Sequence, residues 1–539
     1  MFVQMISTLR RFGLGVVLAA LAAAFVPSFA SAQVTAFRQA VAEAATQDED
    51  LAAFYRARGF EGIWTGSSDE AIARRNALMS AFASVHDHGL PTAVFDPEAL
   101  IARLLAAQTP ADKGRMEVEL TRLFLLYAQQ IQSGILTPSS IDEGIKVRAP
   151  RRDRMRTLLN FTHAEPVAFL RSLVPPTPEY QRLLREKLRF ERLVASGGWG
   201  ETVNASRLEM GDSGPAVISL RNRLIRMGYL DRTATTSFDA ALFGAVQRFQ
   251  QNHGLAPDGI AGEGTIDEIN VSAEARLQSI VVAMERERWL NLPNGRGERY
   301  IWVNLTDFTA AIVDNETVTF STRSVVGANS SDRRTPEFSD LMEHMVINPS
   351  WYVPRSIAVN EYLPRLAADP TSVGHLLITD ARGQPVDRAT ADFSQYSTST
   401  FPFDMRQPPG RSNALGEVKF MFPNRYNIYL HDTPERHLFG REVRSFSHGC
   451  IRLNDPRDFA YALLARQTDD PRGFYASISG TGQETQVDLE QPVPVHIVYR
   501  TAYTLVTGNV QFRRDIYGRD ALVWEALARE GVEIGGVQG

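Results

Sequence analysis

A single cysteine, Cys450, stands among 539 residues, so no internal disulfide braces the chain. A lone cysteine is either an inert buried residue or a thiol retained for its reactivity. Long apolar runs are scarce too. The stretch from Phe12 to about Val26 has about 15 residues, short of the roughly 20 that a membrane-spanning helix needs, and no later segment reaches that length. Basic charge is not in excess: 57 Lys and Arg face 62 Asp and Glu, for a net charge of −5. That balance argues against sequence-independent nucleic-acid binding, which needs a basic face to displace counterions from phosphates. Clusters with metal-ligand spacing are missing as well. His86-Asp87-His88 has two imidazoles at i and i+2 beside a helix end, a pattern of surface polar residues more than of a metal site. What is present, 44% hydrophobic and 22% charged residues, is the composition of a folded protein. At roughly 150 residues per domain it makes about three domains.

Residues 1–32 read as an export signal: Arg10 and Arg11, the apolar stretch, then the small-residue site Ala30-Ser31-Ala32 before Gln33. A mature soluble protein is expected to begin near Gln33; an uncleaved anchor is the rival, disfavoured by the short apolar run. From residue 35 to about 200 the pattern is helical. One helix starts behind Ser67-Ser68-Asp69-Glu70 and runs to Gly89, because polar and acidic residues satisfy the unpaired N–H groups of a first turn. A second takes Thr109 as cap and Pro110 as first residue, carries Leu120, Leu123, Phe124, Tyr127 and Ile131 on one face, and ends at Gly134. A third follows Thr177-Pro178 and ends at Gly197.

The texture changes over 208–270. Gly211-Asp212-Ser213-Gly214-Pro215 precedes Val217, Leu220 and Leu224 at helical spacing, then come Gly228-Tyr229, a helix with Phe243, Val246 and Phe249, and Asp258-Gly259. From Gly211 to Thr265 this resembles the peptidoglycan-binding domain family; the alternative is a three-helix spacer that binds no glycan. A helix from about Ser272 to Leu290, with Leu277, Ile280, Val281 and Met284 as its apolar face, leads to the turn Pro293-Asn294-Gly295. From Tyr300 the period becomes two. Tyr300 to Val303, Ala310 to Val313 and Val318 to Phe320 read as strands, with Arg323 to Val326 as another. Between about Glu361 and Gly416 the strand signal fades, an insertion of the length that more often serves a function, such as a lid, than none.

The segment Phe446-Ser447-His448-Gly449-Cys450-Ile451-Arg452 carries the chemistry. A nucleophilic thiol needs a base to deprotonate it and donors for the charge that develops on the attacked carbonyl. Gly449 lets the backbone approach a substrate, so the N–H groups of His448, Gly449 and Cys450 can converge on one oxyanion. Two histidines compete as base. His448 lies at i−2, on the same side as Cys450 if the chain is extended; His431 lies 19 residues upstream, where a β-hairpin can carry it back. Asn454-Asp455-Pro456 reads as the cap of a helix to about Arg466.

His431-Asp432-Thr433-Pro434, Leu438-Phe439, Arg444 and Ser447-His448-Gly449-Cys450-Ile451-Arg452 resemble the signature of the L,D-transpeptidase catalytic domain, the YkuD family: a His shortly ahead of Ser/Thr-His-Gly-Cys. Gly327 with Thr335-Pro336, Asn348 to Pro354, Glu361 to Pro364 and Asp515 to Asp520 extend the likeness to the large, multidomain YcbB-like branch. Many small members carry Asn two positions after the cysteine; Arg452 stands there, as is usual in the large branch.

The expected fold is multidomain α + β. It has an α-helical N-terminal scaffold at 33–205, a small three-helix peptidoglycan-binding module at 206–271 and a linker helix at 272–297. A β-rich catalytic domain follows at 298–505, with a lid inserted at about 361–416, and then a C-terminal extension at 506–539. The resemblance implies Cys450 as nucleophile, His431 as base, the Asp432 carbonyl orienting it, and His448 and Gly449 shaping the oxyanion site. Ser447, Arg452, Tyr429 and Trp351 are the expected substrate contacts; Arg452 grips a stem carboxylate or serves structure. It implies a periplasmic transferase of cell-wall biogenesis that forms 3→3 cross-links on tetrapeptide stems and is acylated by carbapenems. Water or a lipoprotein lysine as acceptor would make it a carboxypeptidase or an anchoring enzyme, and a non-catalytic glycan-binding scaffold is the rival from another class. Peptidoglycan stems and glycan strands are the expected partners, with accessory proteins of wall synthesis as further candidates, no nucleic acid, and the membrane only through the export signal. No metal or organic cofactor is needed.

Overall fold

A computed structural model describes the backbone of residues 26–535 and the side chains from Thr35 onward. Most of the expected export signal lies outside the described residues; its small-residue site falls within the helix Val26–Ala45. Among the described residues, no helix is long and apolar enough to cross a membrane.

The N-terminal region is helical because its caps and apolar faces agree. Ser68 accepts from the Ala71 N–H ahead of Asp69–Ala83, Thr109 and Asp112 form a capping box ahead of Pro110–Ser133, and Thr177 caps Pro178–Ala195. The first of these stops at Ala83, short of Gly89, where tight turns that bury Val85 and Leu90 take over. Trp64, Phe82, Phe124 and Phe161 meet in one core, with Trp64 stacked on Phe161 at 5.1 Å. His86 and His88, expected at the surface, are half-buried and bonded: His86 Nε2 lies 2.9 Å from Glu191 and His88 Nδ1 3.1 Å from the Tyr180 hydroxyl.

Three further helices, Pro215–Arg226, Ala240–Asn252 and Glu263–Asn270, enclose a core of their own around Leu220, Leu224, Val246 and Phe249. This unit is docked, with Arg513 donating to the Asn252 carbonyl at 2.9 Å and Arg514 to Glu268 at 3.1 Å.

The helix Ala273–Trp289, expected as a linker with one apolar face, is buried on every side from Ile280 onward. Glu285, Arg286, Glu287 and Arg288 are at most 3% exposed. Buried charge is costly unless paired, and here every charge has a partner from another part of the chain. Glu285 accepts the N–H groups of Ile135 and Leu136, Arg286 pairs with Glu337 and Asp520, and Glu287 pairs with Arg296 and Arg500. The C-terminal segment is no appendage either: Phe512, Val523 and Leu527 join the same core, and the helix Arg519–Arg529 packs against it.

The catalytic-type region is one nine-stranded sheet in the order Ser445–Ser447, Thr317–Gly327, Ile451–Leu453, Leu430–His431, Val418–Met421, Phe338–Ile347, Thr485–Val498, Arg299–Asn304, Thr309–Asp314. Thr309–Asp314 pairs back onto Thr317–Gly327, which closes the sheet around Ile301, Met345, Phe420, Leu430 and Ile451. Arg323 to Val326, expected as a separate strand, continues Thr317–Gly327. The helix Pro456–Leu464 follows the last short strand, but the Asp455 carboxylate, expected as its cap, instead accepts from Thr322 Oγ1 at 2.8 Å. The insert has its own core and a three-stranded sheet of Trp351–Tyr352, Asp404–Gln407 and Leu377–Thr379. It starts at Trp351, ahead of the expected 361, because that strand pairs within the insert.

Candidate active site

Two short strands build the site. Leu430–His431 and Ile451–Leu453 pair in parallel, with Leu430 beside Ile451 and His431 beside Arg452. Side chains alternate between faces along a strand. Leu430, Ile451 and Leu453 point into the closed core, so Tyr429, His431, Cys450 and Arg452 share the opposite face. The expected hairpin return is replaced by a crossover through the turn Arg436–Gly440 and the strand Ser445–Ser447, because a parallel neighbour cannot be reached by a tight turn.

Cys450 is half-buried, and its Sγ donates to the Asn427 carbonyl at 3.4 Å. Burial pushes the thiol up to about 11, against the opposing pull of the Tyr429 N–H and hydroxyl and of the Arg452 guanidinium. His431 is 4% exposed, and its Nδ1–H donates to the Asp432 carbonyl. That bond fixes the tautomer and leaves the lone pair on Nε2. Burial first, and then Arg452, push the imidazole down to about 3. At neutral pH the resting site therefore holds a neutral thiol and a neutral imidazole, the protonation states that general-base attack requires.

The structure separates the two histidines. His448, Gly449 and Cys450 form a turn and not an extended strand, with Gly449 at φ +111°. A Cβ there would sit 3.2 Å from Ile428 Cδ1 in a conformation that L-residues rarely adopt. The turn carries the His448 ring away to the insert, where Nε2 donates to Glu361 Oε1 at 2.5 Å. Ser447, 2% exposed, ties the turn together: its Oγ donates to the Cys450 carbonyl at 2.5 Å and accepts from the Gly449 N–H at 3.1 Å. The Gly449 N–H, expected as an oxyanion donor, is thus committed. The N–H groups of His448 and Cys450 remain uncommitted among the described residues.

Behind the turn, Thr335 Oγ1 donates to the Gly449 carbonyl at 2.8 Å and accepts from the Gly327 N–H at 2.9 Å. Tyr517 in turn donates to the Gly327 carbonyl. Gly327 admits no side chain, since a Cβ would lie 1.9 Å from the Arg333 carbonyl.

The expected substrate contacts divide. Tyr429 lies on the site face and favours the ionised thiol. Arg452 lies on the site face, but its guanidinium is engaged by Glu435, and its Nε is buried without a partner. Ser447 faces inward and serves the turn. Trp351 is not on this face: it is 9% exposed in the core of the insert, beside Tyr362 at 6.3 Å. Sequence reasoning missed Glu361 and Arg333 as parts of the site: Glu361 stood only in a segment that extends the family likeness, and Arg333 in a loop with no local pattern to mark it. Among the described residues no group of His, Cys, Asp and Glu is arranged to hold a metal.

Residues 298–488 match the family model of the L,D-transpeptidase catalytic domain. Residues 213–269 match that of the “Putative peptidoglycan binding domain” and residues 49–188 that of a scaffold domain. The chain thus carries a catalytic domain of the YkuD L,D-transpeptidase family joined to a peptidoglycan-binding-type module and a helical scaffold. It is 32% identical over 243 residues to a “Putative L,D-transpeptidase” of Haemophilus influenzae, covering 44% of this chain and 48% of that protein. It therefore spans about half the length of the curated relative it matches. Among solved structures, an L,D-transpeptidase (residues 123–326) from Xylanimonas cellulosilytica is 14% identical, covering 55% of this chain and 100% of its own, with a TM-score of 0.16. An L,D-transpeptidase (Yku) from Stackebrandtia nassauensis is 14% identical, covering 56% and 97%, with a TM-score of 0.21.

Proposed function

We propose that this protein is an exported, periplasmic L,D-transpeptidase of the large multidomain kind that forms 3→3 cross-links between peptidoglycan tetrapeptide stems. The reading rests on one observation: Cys450, Tyr429, His431 and Arg452 share a strand face, with His431 held as a neutral base. The Cys450 sulfur attacks the carbonyl carbon of the bond between the L-centred third residue and D-Ala. The thiol proton passes through His431 Nε2 to the departing D-Ala nitrogen, and a thioester remains. The N–H groups of His448 and Cys450 hold the oxyanion. The side-chain amine of a second stem then attacks the thioester, returns a proton through His431 and frees the thiol. Residues 206–271 hold the enzyme on glycan strands, and carbapenems acylate the same sulfur.

The test is incubation of the purified chain, wild type and Cys450→Ala, with a disaccharide tetrapeptide, reading protein and muropeptides by mass spectrometry. An acyl adduct on Cys450 and a dimer lacking one D-Ala, both absent from the variant, are expected. Tripeptide release without a dimer would assign water as the acceptor, and full turnover by Cys450→Ala would overturn the nucleophile.

A further inference from the structure

We infer that Glu361 is a positioning residue that couples closure of the insert to alignment of the nucleophile turn. The inference deepens the transpeptidase reading and rests on it for its kinetic arm. Glu361 Oε1 accepts from His448 Nε2 at 2.5 Å and from Arg333 Nη2 at 2.7 Å. The three residues come from three separate segments: the insert, the loop that follows Thr317–Gly327, and the turn that carries Cys450. Among the described residues, this carboxylate is the only hydrogen-bonding link between the turn 446–450 and the insert.

The turn is held asymmetrically. On its inner side Ser447, Thr335 and Tyr517 form a buried set of hydrogen bonds. On its outer side Glu361 is, among the described residues, the only hydrogen-bond partner of the His448 ring, and its side chain, like those of His448 and Arg333, is about one third exposed (35%, 33% and 36%). A charge-assisted bond open to water is strong enough to bias a turn and weak enough to break. Glu361 also sits where the helix Arg355–Ile357 widens into a π-helical turn, Ala358–Tyr362. Such turns are rare and occur frequently at functional positions.

The consequence follows from chain connectivity. His448 supplies one of the two uncommitted N–H groups beside Cys450, so its ring anchor sets the direction of that donor. When the insert lifts, the anchor is lost and the donor is free to drift. When the insert closes over a bound stem, the anchor forms and the oxyanion site is complete. Chemistry thereby waits for closure, which keeps water from a half-assembled thioester site.

In steady-state kinetics on the tetrapeptide, Glu361→Ala is expected to lower kcat about tenfold with KM within about twofold, the pattern of a contact that matters in the transition state. Glu361→Gln, whose amide oxygen still accepts from Nε2–H, restores most of the rate. His448→Ala shows the same loss, and the double variant loses no more than either single one. An unchanged kcat in Glu361→Ala, or additive losses in the double variant, would overturn the coupling. Hydrogen–deuterium exchange of the full chain keeps the test separate from the transpeptidase reading: Glu361→Ala is expected to speed exchange in 446–450 and 355–363 together while the sheet is unchanged. If the wild type lacks turnover, the transpeptidase reading fails and exchange alone decides the latch. Exchange that rises in neither segment, or in only one, would refute it.

Discussion

Arg452 and His431 are register partners in the parallel strand pair, so a guanidinium stands beside the imidazole on the site face. Its charge adds to burial in keeping His431 unprotonated, and it favours the thiolate of Cys450. Arg452→Gln removes both influences. The NMR titration midpoint of His431 is expected to rise from about 3, stopping short of the ordinary value because burial, the larger cause, persists. Alkylation of Cys450 by iodoacetamide at pH 8 should slow at the same time. An unmoved midpoint would mean that Glu435 already neutralises the guanidinium.

Tyr429 favours the thiolate of Cys450 and opposes the burial that raises its pKa. Tyr429→Phe keeps the ring and deletes the donor. A lost hydrogen bond to a charged form is worth about 1.5–3 kcal/mol, and screening at a half-buried site puts the effect at the lower end. Alkylation below pH 9 is expected to slow by roughly tenfold while thermal stability changes little. Equal rates for the variant and wild type would rule out the hydroxyl as a thiolate donor.

Arg286 joins the central helix to the rest of the protein by pairing with Glu337 and Asp520, all three nearly inaccessible to water. Arg286→Met leaves two buried carboxylates short of a cation. Breaking a buried pair from one side costs about 3–5 kcal/mol, and urea unfolding should show a loss of that order. A loss below about 1 kcal/mol would indicate that Arg519, which also reaches Glu337, compensates.

Five histidines are shifted down with burial as the largest cause: His431 and His88 to about 3, His496 to about 4, His253 well below the ordinary value of 6.5, and His375 in the same direction. Below pH 6.5 the unfolded chain protonates these rings more fully than the folded one does. The unfolded state then binds more protons, so stability falls as the pH drops from about 6.5 toward 4. Thermal melting is expected at a lower temperature at pH 5 than at pH 7. An equal or higher midpoint at pH 5 would show that these rings take up protons in the folded state.

Much of the helical region was legible, because Thr109-Pro110 and Thr177-Pro178 write their caps locally and the apolar residues between repeat at helical spacing. The helix 273–289 was legible as a helix but not as a hub. Its Glu-Arg-Glu-Arg end reads as a solvated face, and only partners such as Glu337, Arg500 and Asp520, far apart in the chain, turn it into buried structure. The insert's beginning at Trp351 is not legible for a similar reason: Trp351 and Tyr352 form a strand only because Arg406 and Gln407 lie beside them.

The sequence by itself determined the chemistry on offer: one thiol, a glycine beside it that lets the backbone approach a substrate, and two histidines near enough to serve. These are properties of residue type and short spacing, which no fold is needed to express. Which histidine shares a face with the thiol was decided only in three dimensions. The parallel register sets His431 on the face of Cys450, and the turn at Gly449 sends His448 to Glu361. Register and long-range pairing depend on contacts between segments that the chain order keeps apart, and a linear pattern carries no record of them.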